Sequence, residues 1–174
     1  MFELLVVGFL ILLNGVFALS ELAVVSARKA RLEMLRDRGV AGARAAIQLS
    51  QNPGKFLSTV QIGITLVGIV AGAFSGATLG SRMSVFLAGV GVRADIADVA
   101  GYALVIGIIT YLSVIIGELV PKHLALKNPE RIACFIARPM NVLSLVAAPA
   151  VWAPMRRRAV CSGSLAYRLL PKVP

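Results

Sequence analysis

Three apolar stretches, at about residues 4–26, 56–79 and 99–121, dominate the chain and hold between them only two charged side chains, Glu21 and Glu118. Each reaches the roughly 20 residues that a helix needs to cross about 30 Å of hydrocarbon. A helix pairs its own backbone groups, as lipid requires. Composition agrees, because 58% of the 174 residues are hydrophobic against about 45–50% in soluble domains. The expected fold class is an all-α membrane protein of three transmembrane helices. A fourth apolar stretch, 139–155, is shorter and interrupted by Pro139, Pro149 and Pro154. It is expected to lie along the interface or on the bundle, with a re-entrant segment or fourth span as the alternative.

A net charge of +10 raises the question of nucleic acid, and the placement of the charge answers it. Arg28, Lys29, Arg31, Arg36, Arg38, Arg44 and Lys55 fall between the first two spans, and Lys122, Lys127, Arg131 and Arg138 follow the third. The connection between the second and third spans sets Arg82 and Arg93 against Asp95 and Asp98. This is the positive-inside pattern of a multi-pass protein of the cell (inner) membrane, with its N-terminus outside and C-terminus cytoplasmic. The expected partner is the lipid bilayer, not nucleic acid. Three spans also keep Arg156, Arg157 and Arg158 inside, whereas four would not. The chain begins Met-Phe-Glu rather than with basic residues, so residues 1–25 are expected as a retained span and not a signal peptide.

Between the spans, Leu32, Leu35, Ala43, Ile47 and Leu49 alternate with arginines and are interrupted by Gly39 and Gly42. That pattern predicts two short amphipathic helices at headgroup level, the start of a belt. Asn52-Pro53 and Asn128-Pro129 each open a further helix, since proline is tolerated in a first helical turn.

Glu118 sits in the run Ile-Ile-Gly-Glu-Leu-Val-Pro, 115–121. Pro121 has no N–H to offer the carbonyl four residues back, so the Gly117 oxygen is expected to be free beside the Glu118 carboxylate. An ionisable group at membrane depth costs at least about 2.5 kcal/mol, which points to a task such as holding or passing a cation. On the first span Asn14, Ala18 and Glu21 share one stripe at i, i+4 and i+7, while Ser20 and Ser26 fall off it. On the second, glycines 68, 72, 76 and 80 form a ladder suited to close helix packing, and Gln61 and Thr65 extend that stripe. On the third, Thr110, Ser113 and Gly117 line up with Glu118 beside them. The blander readings are that Glu21 reaches the interface near Arg28 and that the ladder serves packing alone. His123 stands alone, and Cys134 and Cys161 show no metal-ligand spacing and are expected as reduced thiols. No nucleophile–base pair, phosphate loop or zinc spacing is present, so no enzyme is expected.

The runs Asn14-Gly15-Val16-Phe17 with Glu21 to Arg28, Asn52-Pro53 with Phe56 to Leu66, and Gly117-Glu118-Leu119-Val120-Pro121-Lys122 resemble the membrane domain of the CorC/cyclin M family. The resemblance covers roughly residues 2–155 and implies a magnesium transporter, with sodium-coupled export as its mechanism. It further implies a homodimer, three spans and a cytoplasmic helical belt per subunit, and a bare Mg2+ near mid-membrane. By motif matching, the metal ligands would be Asn14, the Ala18 backbone, the Gly117 carbonyl and Glu118. Family members often carry serine on the first span, so alanine at 18 leaves only its backbone. Ser20, Glu21, Gln61, Thr65, Ser113 and Pro121 are candidates for the transport path, and Na+ for the coupling ion. Family members continue into paired CBS modules, which these residues do not contain; the expectation is a transporter domain, 1–155, with a basic tail, 156–174. The competing expectation is a non-transporting membrane anchor or Mg2+ sensor for a cytoplasmic regulatory module.

Overall fold

Helices long and apolar enough to cross a membrane run over Phe2–Ser26, Pro53–Gly89 and Ala94–Lys127. The computed structural model describes residues 2–51, 53–140 and 142–143. The first span is α1, Phe2–Ser26, and two short helices follow it, α2 (Lys29–Asp37) and α3 (Ala43–Gln51). The second span is α4 (Pro53–Ser75), one π-helical turn (Gly76–Gly80) and α5 (Ser81–Gly89). The third is α6 (Ala94–Val114), a second π turn (Ile115–Leu119) and α7 (Val120–Lys127). A last helix, α8, covers 129–140. The fold is all-α with three candidate membrane spans.

The second and third spans outrun the expected ends at 79 and 121, and the π turns explain how. Each adds one residue to a helical turn, so the axis continues where the i→i−4 ladder fails. At the third span the Val120 amide bonds back to the Ile115 oxygen, and Pro121 then falls in the first turn of α7, where a missing N–H costs nothing. Proline therefore does not break this helix. The stretch 139–155 lies largely outside the described residues.

Packing is concentrated at one end. α1 lies against α4, α7 and the second π turn, and α5 pairs with α6. The buried cluster joins Phe17, Val24, Phe56 and Val60 of the spans to Leu32, Ala46 and Leu49 of α2–α3 and Ala133, Ile136 and Met140 of α8. Elsewhere large apolar side chains such as Leu5, Phe9, Leu12, Ile69 and Val85 point outward, as lipid-facing surface does. The glycine ladder divides. A side chain at Gly76 or Gly80 would meet Ile106 or Tyr102 of α6, whereas nothing lies within 4 Å of such a side chain at Gly68 or Gly72.

The belt is tied to the spans by two buried features. Glu130 of α8 accepts the Arg28 amide at 3.5 Å and pairs with Arg31 at 3.8 Å, fixing the break between α1 and α2. Cys134 is buried beside it, and desolvation followed by the Glu130 charge pushes its thiol up, away from the reactive thiolate. The α2–α3 turn needs glycine twice, at φ 73° for Gly39 and φ 87° for Gly42. A Cβ on Gly42 would overlap the Cys134 carbonyl, while one on Gly39 meets nothing within 4 Å. Gly39→Ala should therefore cost about 1 kcal/mol of backbone strain, and Gly42→Ala about 3 kcal/mol or more from strain and overlap together. Apparent melting temperatures in detergent check this; equal losses for the two variants would contradict the packing of α8 on the turn.

Candidate cation site between the first and third spans

Close approach of α1 to the second π turn requires two glycines. A Cβ on Gly15 would sit 3.2 Å from Pro121 Cγ and 3.6 Å from the Ile116 oxygen. One on Gly117 would sit 3.2 Å from the Ile11 oxygen and 3.3 Å from Asn14 Nδ2. Without side chains at these positions the two backbones meet, and polar groups that lipid would otherwise isolate face one another.

Asn14 bridges the contact. It is buried, and its Nδ2 donates to the Gly117 oxygen at 3.4 Å. That acceptor is the carbonyl which Pro121 cannot reach with an N–H. The amide's other end, Oδ1, is buried and has no hydrogen-bond partner among the described residues. The other such oxygen, Glu3 Oε2, belongs to a carboxylate whose Oε1 pairs with Arg82 at 3.0 Å. Asn14 Oδ1 has no comparable outlet. An orphaned buried acceptor costs about 1–3 kcal/mol, so its retention calls for a reason. Ser113 Oγ lies 3.5 Å from the Cβ position of Gly117 and adds a hydroxyl beside the same contact.

Glu118 is half-exposed, and its Oε1 accepts from Lys122 Nζ at 2.6 Å. Glu21, on α1, lines a neighbouring cleft of about 340 Å³ with Leu22, Val25, Leu57 and Lys122. It therefore faces the third span and not only Arg28. Among the described residues no three His, Cys, Asp or Glu side chains gather as a metal cluster. What the arrangement offers is one carboxylate with neutral oxygens, a set suited to a hard cation held loosely enough to leave.

The remaining candidates are placed apart. Ala18 is fully buried in the unbroken α1 helix, one turn from Asn14. Ser20 is buried but donates to its own helix, to the Phe17 oxygen at 2.7 Å. Gln61 and Thr65 are exposed, and Thr65 Oγ1 donates to the Gln61 oxygen at 2.9 Å. They do not join Asn14, Gly117 and Glu118, because α4 meets α1 through Val60, Gly63 and Val67 instead, with Gly63 against the Phe17 ring. Two residues acquire roles that sequence reasoning did not give them. Gly15 admits Pro121, and Lys122 holds Glu118. The i, i+4 spacing of Glu118 and Lys122 was the available signal for the second.

Residues 5–160 match the family described as the cyclin M transmembrane N-terminal domain. The chain is 48% identical over 150 residues to a UPF0053 protein of Synechocystis sp., covering 86% of this chain and 34% of that one. It is 30% identical over 150 residues to the UPF0053 protein YhdT of Bacillus subtilis, covering 86% and 32%. To the polyamine export protein of Escherichia coli strain K12 it is 28% identical over 150 residues, covering 86% and 33%. The chain thus spans about a third of the length of the curated relatives it matches. The matched family and an export protein among the relatives support a transport or transport-associated function in the membrane.

If Asn14 is kept for a ligand and not for stability, Asn14→Leu should change the stability of the cation-free protein by no more than about 1 kcal/mol. The variant loses a long hydrogen bond and also removes the orphaned oxygen. Chemical denaturation in chelator-treated detergent solution measures it. A loss near 3 kcal/mol would make Asn14 a structural bridge.

Proposed function

The chain belongs to the cyclin M transmembrane-domain family, and from that premise we propose that it binds a dehydrated divalent cation, Mg2+, between α1 and the second π turn and moves it across the membrane. The observation that carries this reading is the unpartnered, buried Asn14 Oδ1, on an amide whose Nδ2 already contacts the Gly117 carbonyl, with Glu118 the next residue along the third span. Turning the amide over by its near-twofold χ2 would aim Oδ1 and the Gly117 oxygen at one point. Two acceptors that close repel unless a cation lies between them. Magnesium takes oxygen ligands and gives up its water reluctantly, so carboxylate, carbonyl, amide and hydroxyl from two spans are a fitting replacement shell. Asn14, Gly117, Glu118 and Ser113 would supply it, with the Ala18 backbone as a further contact.

Outward export exchanged for Na+ is the proposed direction and coupling, on the family resemblance. The positive-inside distribution supports the orientation in the cell membrane with α2 and α3 cytoplasmic. A second copy is the proposed cover for α4, where Gln61, Thr65 and Gly68 face outward among lipid-facing apolar residues. Polar side chains are costly there unless another helix meets them. The relatives' additional length leaves room for the CBS modules that the resemblance implies.

A second cargo is favoured by Lys122, because its alkylammonium already occupies the Glu118 carboxylate. A primary amine would make the same bond, and one relative is named as a polyamine exporter. Proteoliposomes carrying this chain distinguish the readings, with Mg2+ and putrescine fluxes measured with and without a sodium gradient. Mg2+ flux supports the proposal, putrescine flux alone supports the second cargo, and neither flux supports a non-transporting anchor or sensor.

Glu118→Gln should abolish Mg2+ binding in isothermal titration while leaving the protein folded, since it removes the carboxylate proposed as a direct ligand. Pro121→Ala should weaken binding although no ligand side chain changes, because a restored N–H competes for the Gly117 oxygen. Binding of parental strength in Glu118→Gln would remove Glu118 from the site, and the same result in Pro121→Ala would show the freed carbonyl to be irrelevant.

A further inference from the structure

We propose that Lys122 is a built-in counter-cation of this site, one that occupies Glu118 when no cargo is bound and lowers the site's affinity enough for the cargo to leave. The inference rests on the cation-site reading above and adds to it a residue that sets affinity. Its basis is a juxtaposition of three charged groups. Lys122 Nζ contacts Glu118 Oε1 at 2.6 Å. The same side chain lines the cleft of about 340 Å³ that Glu21 enters from α1. Among the described residues Glu21 has neither an ion pair nor a side-chain hydrogen bond. One ammonium thus holds one carboxylate and shares a cleft with a second.

Magnitudes decide whether such a pair is a fixture or a latch. Both partners are partly exposed, Lys122 at 33% and Glu118 at 42% of their side chains. Solvent screens an i, i+4 pair of that kind and leaves it weak. It adds little to stability and is easily broken. A divalent cation arriving at Glu118 both repels the ammonium and takes over its acceptor, and Glu21 offers the displaced ammonium another. When the cation leaves, Lys122 returns, so Glu118 is not left as an uncompensated charge at membrane depth.

Charge counting gives the direction of the effect. Glu21, Glu118 and Lys122 together carry −1, so a bound divalent cation leaves the cleft at +1. Without Lys122 the two carboxylates would balance the cation fully and hold it. Removing a unit charge at contact distance in partly hydrated protein should change affinity about tenfold or more, a factor of ten being about 1.4 kcal/mol.

The test is isothermal titration of the purified chain with Mg2+ alone, comparing the parent with Lys122→Met, Lys122→Gln and Lys122→Arg. Mass in detergent and melting temperature verify that each variant is folded, and glutamine stands in if methionine misfolds. Lys122→Met should bind Mg2+ about tenfold more tightly or better, and Lys122→Arg, which keeps the charge, should stay near the parent. Glu118→Gln in the Lys122→Met background should return binding to baseline, placing the gain at this site. Unchanged or weaker binding in Lys122→Met overturns the counter-cation role while leaving the site reading intact. Equal tightening in Lys122→Arg overturns it too, because shape and not charge would then be responsible. No Mg2+ binding by the parent or by any variant refutes the site reading itself, whereas binding that appears only in Lys122→Met supports the counter-cation in its strongest form.

Discussion

The contact of α1 with the second π turn is the constraint on which the site depends. Gly15 and Gly117 let two backbones meet where hydrocarbon supplies no hydrophobic drive between helices, so the contact must be held by van der Waals packing and hydrogen bonds. Asn14 supplies one, to the Gly117 oxygen, to which Pro121 has no N–H to offer. Proline does two things here. It frees a carbonyl along the chain, and its ring fills the space that Gly15 leaves open. The π turn keeps the long helix continuous through this disturbance, so the defect in the ladder becomes the surface on which α1 packs.

Most of the architecture was legible because it follows from local rules. Apolar length marked the three spans, and the pair Gly39 and Gly42 marked the turn between two amphipathic helices, which appear as α2 and α3. Helix ends were less legible. Pro121 signals a break by local chemistry, yet the π turn and the first-turn position of proline carry the helix on to Lys127. A π turn depends on what packs against it, and periodicity in one segment does not contain that information.

The same limit applies to the site. Gly117 and Asn14, singled out by the Pro121 spacing and by depth in the first span, do meet across the helix contact. Gln61 and Thr65 do form the stripe that their spacing predicts, but a stripe does not name its neighbour, and α4 turns this one away from α1. Lys122 looked like one more interfacial positive charge. Its partner lies one helical turn back, and only the geometry shows that the pair closes and that Lys122 shares a cleft with Glu21.

The central claim is that a bare cation sits on protein oxygens between α1 and the π turn, and competition by a cation that cannot shed its shell tests it most directly. Hexaamminecobalt(III), an exchange-inert stand-in for fully hydrated magnesium, would be titrated against bound Mg2+ in the purified protein. The account predicts that Mg2+ stays bound in its presence, because ligation by the Gly117 carbonyl and the Asn14 amide oxygen requires a dehydrated ion. Full displacement at comparable concentration would show a hydrated ion held by charge alone, and would contradict the account.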